Sequence, residues 1–302
     1  MLWLFLAIIA RFFWAGAGAV DQLISRAHKE DTLACATILY YVMMLPFALL
    51  LLSISDWQFE VTMPYIACIA LAAAVNVMAL IPYYKCLQAD DAHAVMAYLE
   101  LTPVCLMFLA YLVFGETMRP IQLAGAGIVI VCGFIFSWDF RHGHFRARSL
   151  MLMAIAAFLF AVYQLCLRWT GQIGDMWAVG GCLLLGEWTF GMLMFLLHKG
   201  ARRSIIATAR ETKGRTLLLS LASGAFSMTG IVMIIKAFQL APTTGHIAAL
   251  GPTQPFFSFF LAAVLGLLLP KVYSHVPFDH ETKIKLFLLV GIFGGIYLLV
   301  MG

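Results

Sequence analysis

Apolar residues run in long blocks separated by short polar gaps, and the blocks recur at about 20 residues each, the length a helix needs to cross a bilayer core. Ten stretches qualify, at roughly 2–24, 33–53, 63–84, 92–113, 120–138, 149–169, 177–197, 216–238, 244–268 and 284–301. None alternates apolar and polar residues with a period of two, which sets aside a β-barrel. The pattern predicts an all-α polytopic membrane protein of ten transmembrane helices. The loops are too short to hold a soluble domain.

Composition agrees. Of 302 residues, 63% are hydrophobic and 11% charged, with a mean hydropathy of +0.96; a soluble domain has roughly 25% charged residues. Secreted domains, nucleic-acid binders and disordered tails are excluded. The small residues from Ala15 to Ala19 resemble a signal-peptide cleavage site, but no basic segment precedes them and Arg11 interrupts the apolar run, so they read as a helix contact. The seven cysteines fall in or beside the spans without metal or redox spacing and read as packing residues. Fifteen of the 19 basic residues lie on the face reached by the loops joining spans 1–2, 3–4, 5–6, 7–8 and 9–10. Arg119 is the one basic residue in a loop of the other face. The basic face should be cytoplasmic, which places both termini outside. The basic loop from His198 to Arg215 serves that bias and could also touch anionic lipid.

The chain divides into two five-helix repeats, residues 1–146 and 147–302, within a single membrane domain. An odd number of spans per repeat makes the second antiparallel to the first, an inverted-topology plan common in transporters. Lys85-Cys86-Leu87-Gln88 ends span three as Lys236-Ala237-Phe238-Gln239 ends span eight. Leu101-Thr102-Pro103 in span four resembles Leu250-Gly251-Pro252 in span nine, with Pro255 the alternative partner of Pro103 across a small gap, and Phe12-Phe13-Trp14-Ala15 resembles Phe158-Leu159-Phe160-Ala161.

Together with Gly115-Glu116, Arg119-Pro120-Ile121-Gln122 and a glycine-rich fifth span, these features resemble the EamA-type branch of the drug/metabolite transporter superfamily. The stretch 100–135 carries the most specific part of the likeness. The resemblance implies a ten-helix fold around a central cavity, alternating access by rocking helix bundles, and transport of small metabolites or amphipathic compounds. The chain departs from the family pattern after span nine, where Gly266-Leu267-Leu268 stands in place of a second Gly-Glu. It departs again in its charge bias, since family members usually keep both termini in the cytoplasm.

Three ionisable residues lie near the middle of spans: Arg11, Glu100 and Glu187. A charge at that depth costs about 2.5–3.5 kcal/mol on insertion scales and marks a functional candidate. The expectation is that Arg11 pairs with one glutamate while the other exchanges a proton or meets a cationic substrate group, which makes Glu100 and Glu187 candidates for ion coupling. Trp14, Asn76, Tyr98, Tyr163, Gln164 and Gln254 complete a candidate substrate site of aromatic and amide groups. Pro103, Pro252 and Pro255 interrupt helices and leave backbone carbonyls free, as transport pathways often do. Asp21, Tyr83, Tyr84, Lys85 and Lys236 lie nearer helix ends, where snorkelling explains them. His142-x-His144 lacks a carboxylate companion and reads as no metal site. No phosphate loop, dinucleotide fingerprint or nucleophile elbow is present, so no cofactor is expected.

These features lead to a secondary transporter, not an enzyme, in an inner membrane. It would export a small metabolite or amphipathic, cationic compound by alternating access, coupled to an ion gradient, with the proton first. The alternatives are a translocase for lipid or a lipid-linked substrate and, further off, a lipid-modifying enzyme built on Asp90-Asp91 and His93. Partners are the small-molecule substrate and membrane lipids, with no nucleic acid. Gly125 and Gly127, and Gly291, Gly294 and Gly295, allow close helix contact within a monomer or across a homodimer.

Overall fold

A computed structural model of the chain describes residues 1–27, 41, 44–89, 98–99, 101–137, 147–197, 202, 215–268 and 280–301. Eleven helical elements occur among them: α1 (Leu2–Ala27), α2 (Met44–Ile54), α3 (Met63–Ala89), α4 (Leu101–Phe114), α5 (Pro120–Ser137), α6 (Ala147–Ile173), α7 (Met176–Leu197), α8 (Arg215–Leu240), α9 (Thr244–Ala248), α10 (Thr253–Leu268) and α11 (His280–Met301). No strand occurs among the described residues. Helices satisfy their backbone hydrogen bonds internally, which a hydrocarbon solvent demands. Six apolar stretches of 19 to 24 residues are long enough to span a bilayer, in α1, α3, α6, α7, α8 and the α9–α10 pair, and four more apolar helices are shorter. This is a multi-pass membrane protein. His142, His144, Asp90, Asp91, His93 and Glu100 lie outside the described residues.

Local chemistry sets the helix ends. Between α6 and α7, the Asp175 carboxylate accepts the Trp177 N–H at 2.9 Å and caps α7. Gly115 ends α4 at φ +64°, a left-handed conformation that glycine adopts without steric cost. The Gly115 and Glu116 N–H groups return to the carbonyls of Tyr111 and Ala110. Asp56 and Trp57 take φ 51° and 58° in the α2–α3 connection, an uncommon conformation for residues with a Cβ.

The ninth apolar stretch is two helices, not one. α9 stops at Ala248, and the chain turns through Leu250-Gly251-Pro252 on Leu250 N–H to Ile247 O and Gly251 N–H to Ala248 O bonds of 3.2 and 2.9 Å before α10 begins. Pro252 cannot donate to a helix ladder. Of the expected breaks, Pro252 lies in this turn, Pro255 in the first turn of α10 and Pro103 in the first turn of α4. Pro82, not among them, sits inside α3.

Helices pack in definite pairs: α1 on α8, α3 on α6, α5 on α11, α2 on α7, α4 on α6, α10 on α1, α3 on α7 and α2 on α8. Small residues permit the closest approaches. A Cβ on Gly125 would meet the Gly295 carbonyl at 2.6 Å, so α5 and α11 touch backbone to backbone. Gly251 packs on Pro103 with only 2.8 Å for a Cβ, so the two similar Pro-containing segments of spans four and nine meet in space. The main buried core spans several helices and includes Trp3, Tyr41, Tyr65, Leu183 and Phe238.

Candidate functional site

A cavity of about 250 Å³ lies where α1, α3, α4, α6, α8 and α10 converge. Arg11 and Trp14 enter it from α1, Asn76 from α3, Tyr163 and Gln164 from α6, and Gln254 and Pro255 from α10, with Pro103 and Thr102 from α4. The Arg11 guanidinium lies 4.9 Å above the Trp14 ring and donates to Gln164 Oε1 at 3.3 Å. Arg11 and Trp14 are three residues apart, one helix turn, which is why they share the face that lines the cavity. Arg11 is 6% exposed. The site thus offers a cation, amide groups and aromatic faces, the combination that orients a small amphipathic solute.

Glu187 stands one layer behind. It is 0% exposed and does not line the cavity. Asn76 Nδ2 donates to Glu187 Oε1 at 2.8 Å, and Tyr163 lies against the same carboxylate. Asn76 and Tyr163 both line the cavity, so Glu187 meets the site through them. The structure therefore gives Glu187 to an amide, and Arg11 reaches Gln164. Tyr98 does not line the cavity; it is buried with Cys86 and Met153 in a cluster packed against Tyr83, Leu99 and Phe160 of the wall. Pro252 packs against Gly133 of α5 and is not part of the wall.

Several lining residues escaped the sequence reading. Tyr83, expected at the headgroups, lines the cavity, as do Tyr41, Ser227 and Ser258. Nothing in their spacing separates them from ordinary apolar-helix polar residues. A second polar cluster also escaped it, although Glu116 belongs to the Gly-Glu pair the family resemblance had marked. Arg168 on α6 is 6% exposed and lies 3.4 Å from Glu116 Oε1. It also donates to the carbonyls of Phe238 and Ala241 at the end of α8. The second Glu116 oxygen accepts the Thr244 N–H at the start of α9. His246, buried on α9, has Thr243 Oγ1 2.8 Å from Nδ1 and Gln122 Nε2 3.3 Å from Nε2, and the Trp3 ring meets its own edge-on at 5.4 Å.

The described cysteines stand apart from this chemistry. The six described ones are free thiols, and none lines the cavity. No group of three or more histidine, cysteine or carboxylate side chains placed to hold a metal occurs among the described residues.

Residues 1–138 match the EamA-like transporter family. A crystal structure of another protein has the same fold, with a TM-score of 0.72 over 98% of this chain and 97% of that chain at 15% identity. No curated protein matches the chain by sequence.

Proposed function

We propose that this chain, by its first 138 residues an EamA-type membrane protein of the drug/metabolite transporter superfamily, is a secondary transporter that exports a small metabolite or amphipathic compound by alternating access. The observation that carries the reading is the central cavity, whose wall is drawn from segments between residues 11 and 258 and carries Arg11 beside Trp14 and Gln164. Its volume of about 250 Å³ falls below the roughly 300–1,000 Å³ of pockets for drug-sized ligands. That favours a small solute over a lipid.

The architecture we propose for it is two inverted five-helix repeats, 1–146 and 147–302. The helix pairs support this reading. Exchange α1 with α6, α2 with α7, α3 with α8, α4 with α9–α10 and α5 with α11, and the contact α1·α8 becomes α6·α3. In the same exchange α4·α6 becomes α10·α1, α3·α7 becomes α8·α2, and α2·α7 and α5·α11 map onto themselves. In this scheme Arg11, Trp14, Asn76, Tyr163, Gln164 and Gln254 contact solute, and Glu100 and Glu187 couple its movement to an ion, with the proton as the first candidate. Glu187 is suited to that role because Asn76 and Tyr163 connect it to the cavity wall.

The test compares solute pools inside and outside cells that express the wild type or Arg11→Gln at matched membrane abundance. One solute should redistribute with the wild type and lose most of that movement, about tenfold or more, with Arg11→Gln. If both proteins leave every small-solute pool unchanged while the wild type scrambles lipid in vesicles, metabolite transport is the wrong reading.

A further inference from the structure

We propose that Glu116 and Arg168 form a latch that shuts one end of the cavity and must part whenever the cavity opens to that face; this rests on the alternating-access reading above. The pair lies beyond the cavity on one side. Arg168 is one turn further along α6 than Gln164, His246 is two residues before Ala248, and Trp3 is two turns before Arg11; Gln164, Ala248 and Arg11 line the cavity, and Arg168, His246 and Trp3 do not. On α1 and α3 the lining instead continues the other way, to Gly18 and Tyr83. The cluster therefore sits at the end of the cavity nearest the amino terminus of α1.

Two side chains gather several separate segments there. The Arg168 guanidinium takes two carbonyls from the end of α8, Phe238 and Ala241, and one oxygen of Glu116. The other Glu116 oxygen takes the first N–H of α9. Gly115, at φ +64°, turns the chain out of α4 immediately before Glu116. Polar contacts of His246 tie the same short helix to α5. Gln122 Oε1 accepts the Arg119 N–H at 3.0 Å, so its Nε2 is the atom facing His246, and His246 Nε2 must accept. The ring proton is then on Nδ1, which donates to Thr243 Oγ1.

The unsatisfied atoms point to a joint that alternates. Arg168 Nε and Thr244 Oγ1 are buried without a hydrogen-bond partner among the described residues. A permanent pin is stable when its polar atoms are all satisfied, and a half-satisfied buried network contributes little net stability. A contact that must release gains from that imbalance, because its closed form is not far below its open one.

The experiment places a reporter thiol at S227C in the cavity of the full chain and adds a membrane-impermeant maleimide from either face, with the face of the amino terminus identified by a terminal tag. The unaltered chain gives the background labelling of the native cysteines. With the latch intact, labelling from the amino-terminal face is slow. Glu116→Gln and Arg168→Gln should each raise it about tenfold, and Arg168→Lys, which keeps the charge but loses the fork, should raise it less. Unchanged labelling from that face, in variants that elute and melt as folded protein, would show a static pin and overturn the proposal. Should the glutamine variants not fold, Glu116→Asp with Arg168→Lys gives the same reading. Because labelling needs no solute, a labelling shift without transport refutes the proposed function alone, and transport without a shift refutes the latch alone.

Discussion

At the scale of single residues, depth along a span is the informative variable. Arg11 and Glu187 stand out in sequence because ionisable groups at mid-membrane are expensive, and both are buried near the cavity in the structure. Their partners are not legible in the same way. Which of several amides and carboxylates an arginine meets depends on helix rotation and on contacts more than 100 residues away in sequence, such as Arg11 to Gln164 and Asn76 to Glu187. The Asn76–Glu187 contact makes an asymmetric prediction. Asn76→Leu removes the donor and leaves a fully buried carboxyl short of a hydrogen bond, a loss of about 1–3 kcal/mol. Glu187→Gln keeps an acceptor for Asn76 and should cost less than about 1 kcal/mol. Thermal unfolding of the purified variants in detergent ranks them, and an equal loss in both would mean that the carboxyl does not depend on Asn76. Tyr83 lines the cavity although an aromatic near a helix end fits the headgroup region equally well, and its spacing alone does not tell the two apart.

Elements were largely readable, since long apolar runs admit little besides helices in a membrane. The break in span nine was readable too, because Gly251-Pro252 removes a donor where the ladder would continue. The finer assignment of glycines was not. Gly125, Gly127, Gly291, Gly294 and Gly295 look equivalent in sequence, but their environments differ. A Cβ at Gly125 meets backbone atoms of Gly295 and Leu299 at 2.6 and 2.8 Å, whereas at Gly127 and Gly294 nothing lies within 4 Å. Gly125→Ala should therefore force α5 and α11 apart at a cost of about 1–3 kcal/mol. Gly127→Ala and Gly294→Ala should be neutral or gain up to about 1 kcal/mol from helix propensity. Melting curves for the three variants separate these outcomes; a destabilised Gly127→Ala would mean that its open side is occupied by another subunit.

For the whole molecule, the charge distribution makes its own statement. Fifteen of 19 basic residues fall on one face of the expected ten-span layout, a bias that orients multi-pass proteins with that face in the cytoplasm. A tag at either terminus should then react with an impermeant reagent added to intact cells, and a tag in the 198–215 segment should not. The reverse labelling would mean that the charge bias does not set the orientation. The pairing of helices distant in sequence has a consequence for biogenesis. Asn76 and Glu187 are 111 residues apart, which at roughly 5–20 residues per second is on the order of 6–20 s of translation. Through that interval the Asn76 amide has no access to the acceptor it finally meets. Until α7 is made, that amide needs a partner other than Glu187 to remain satisfied.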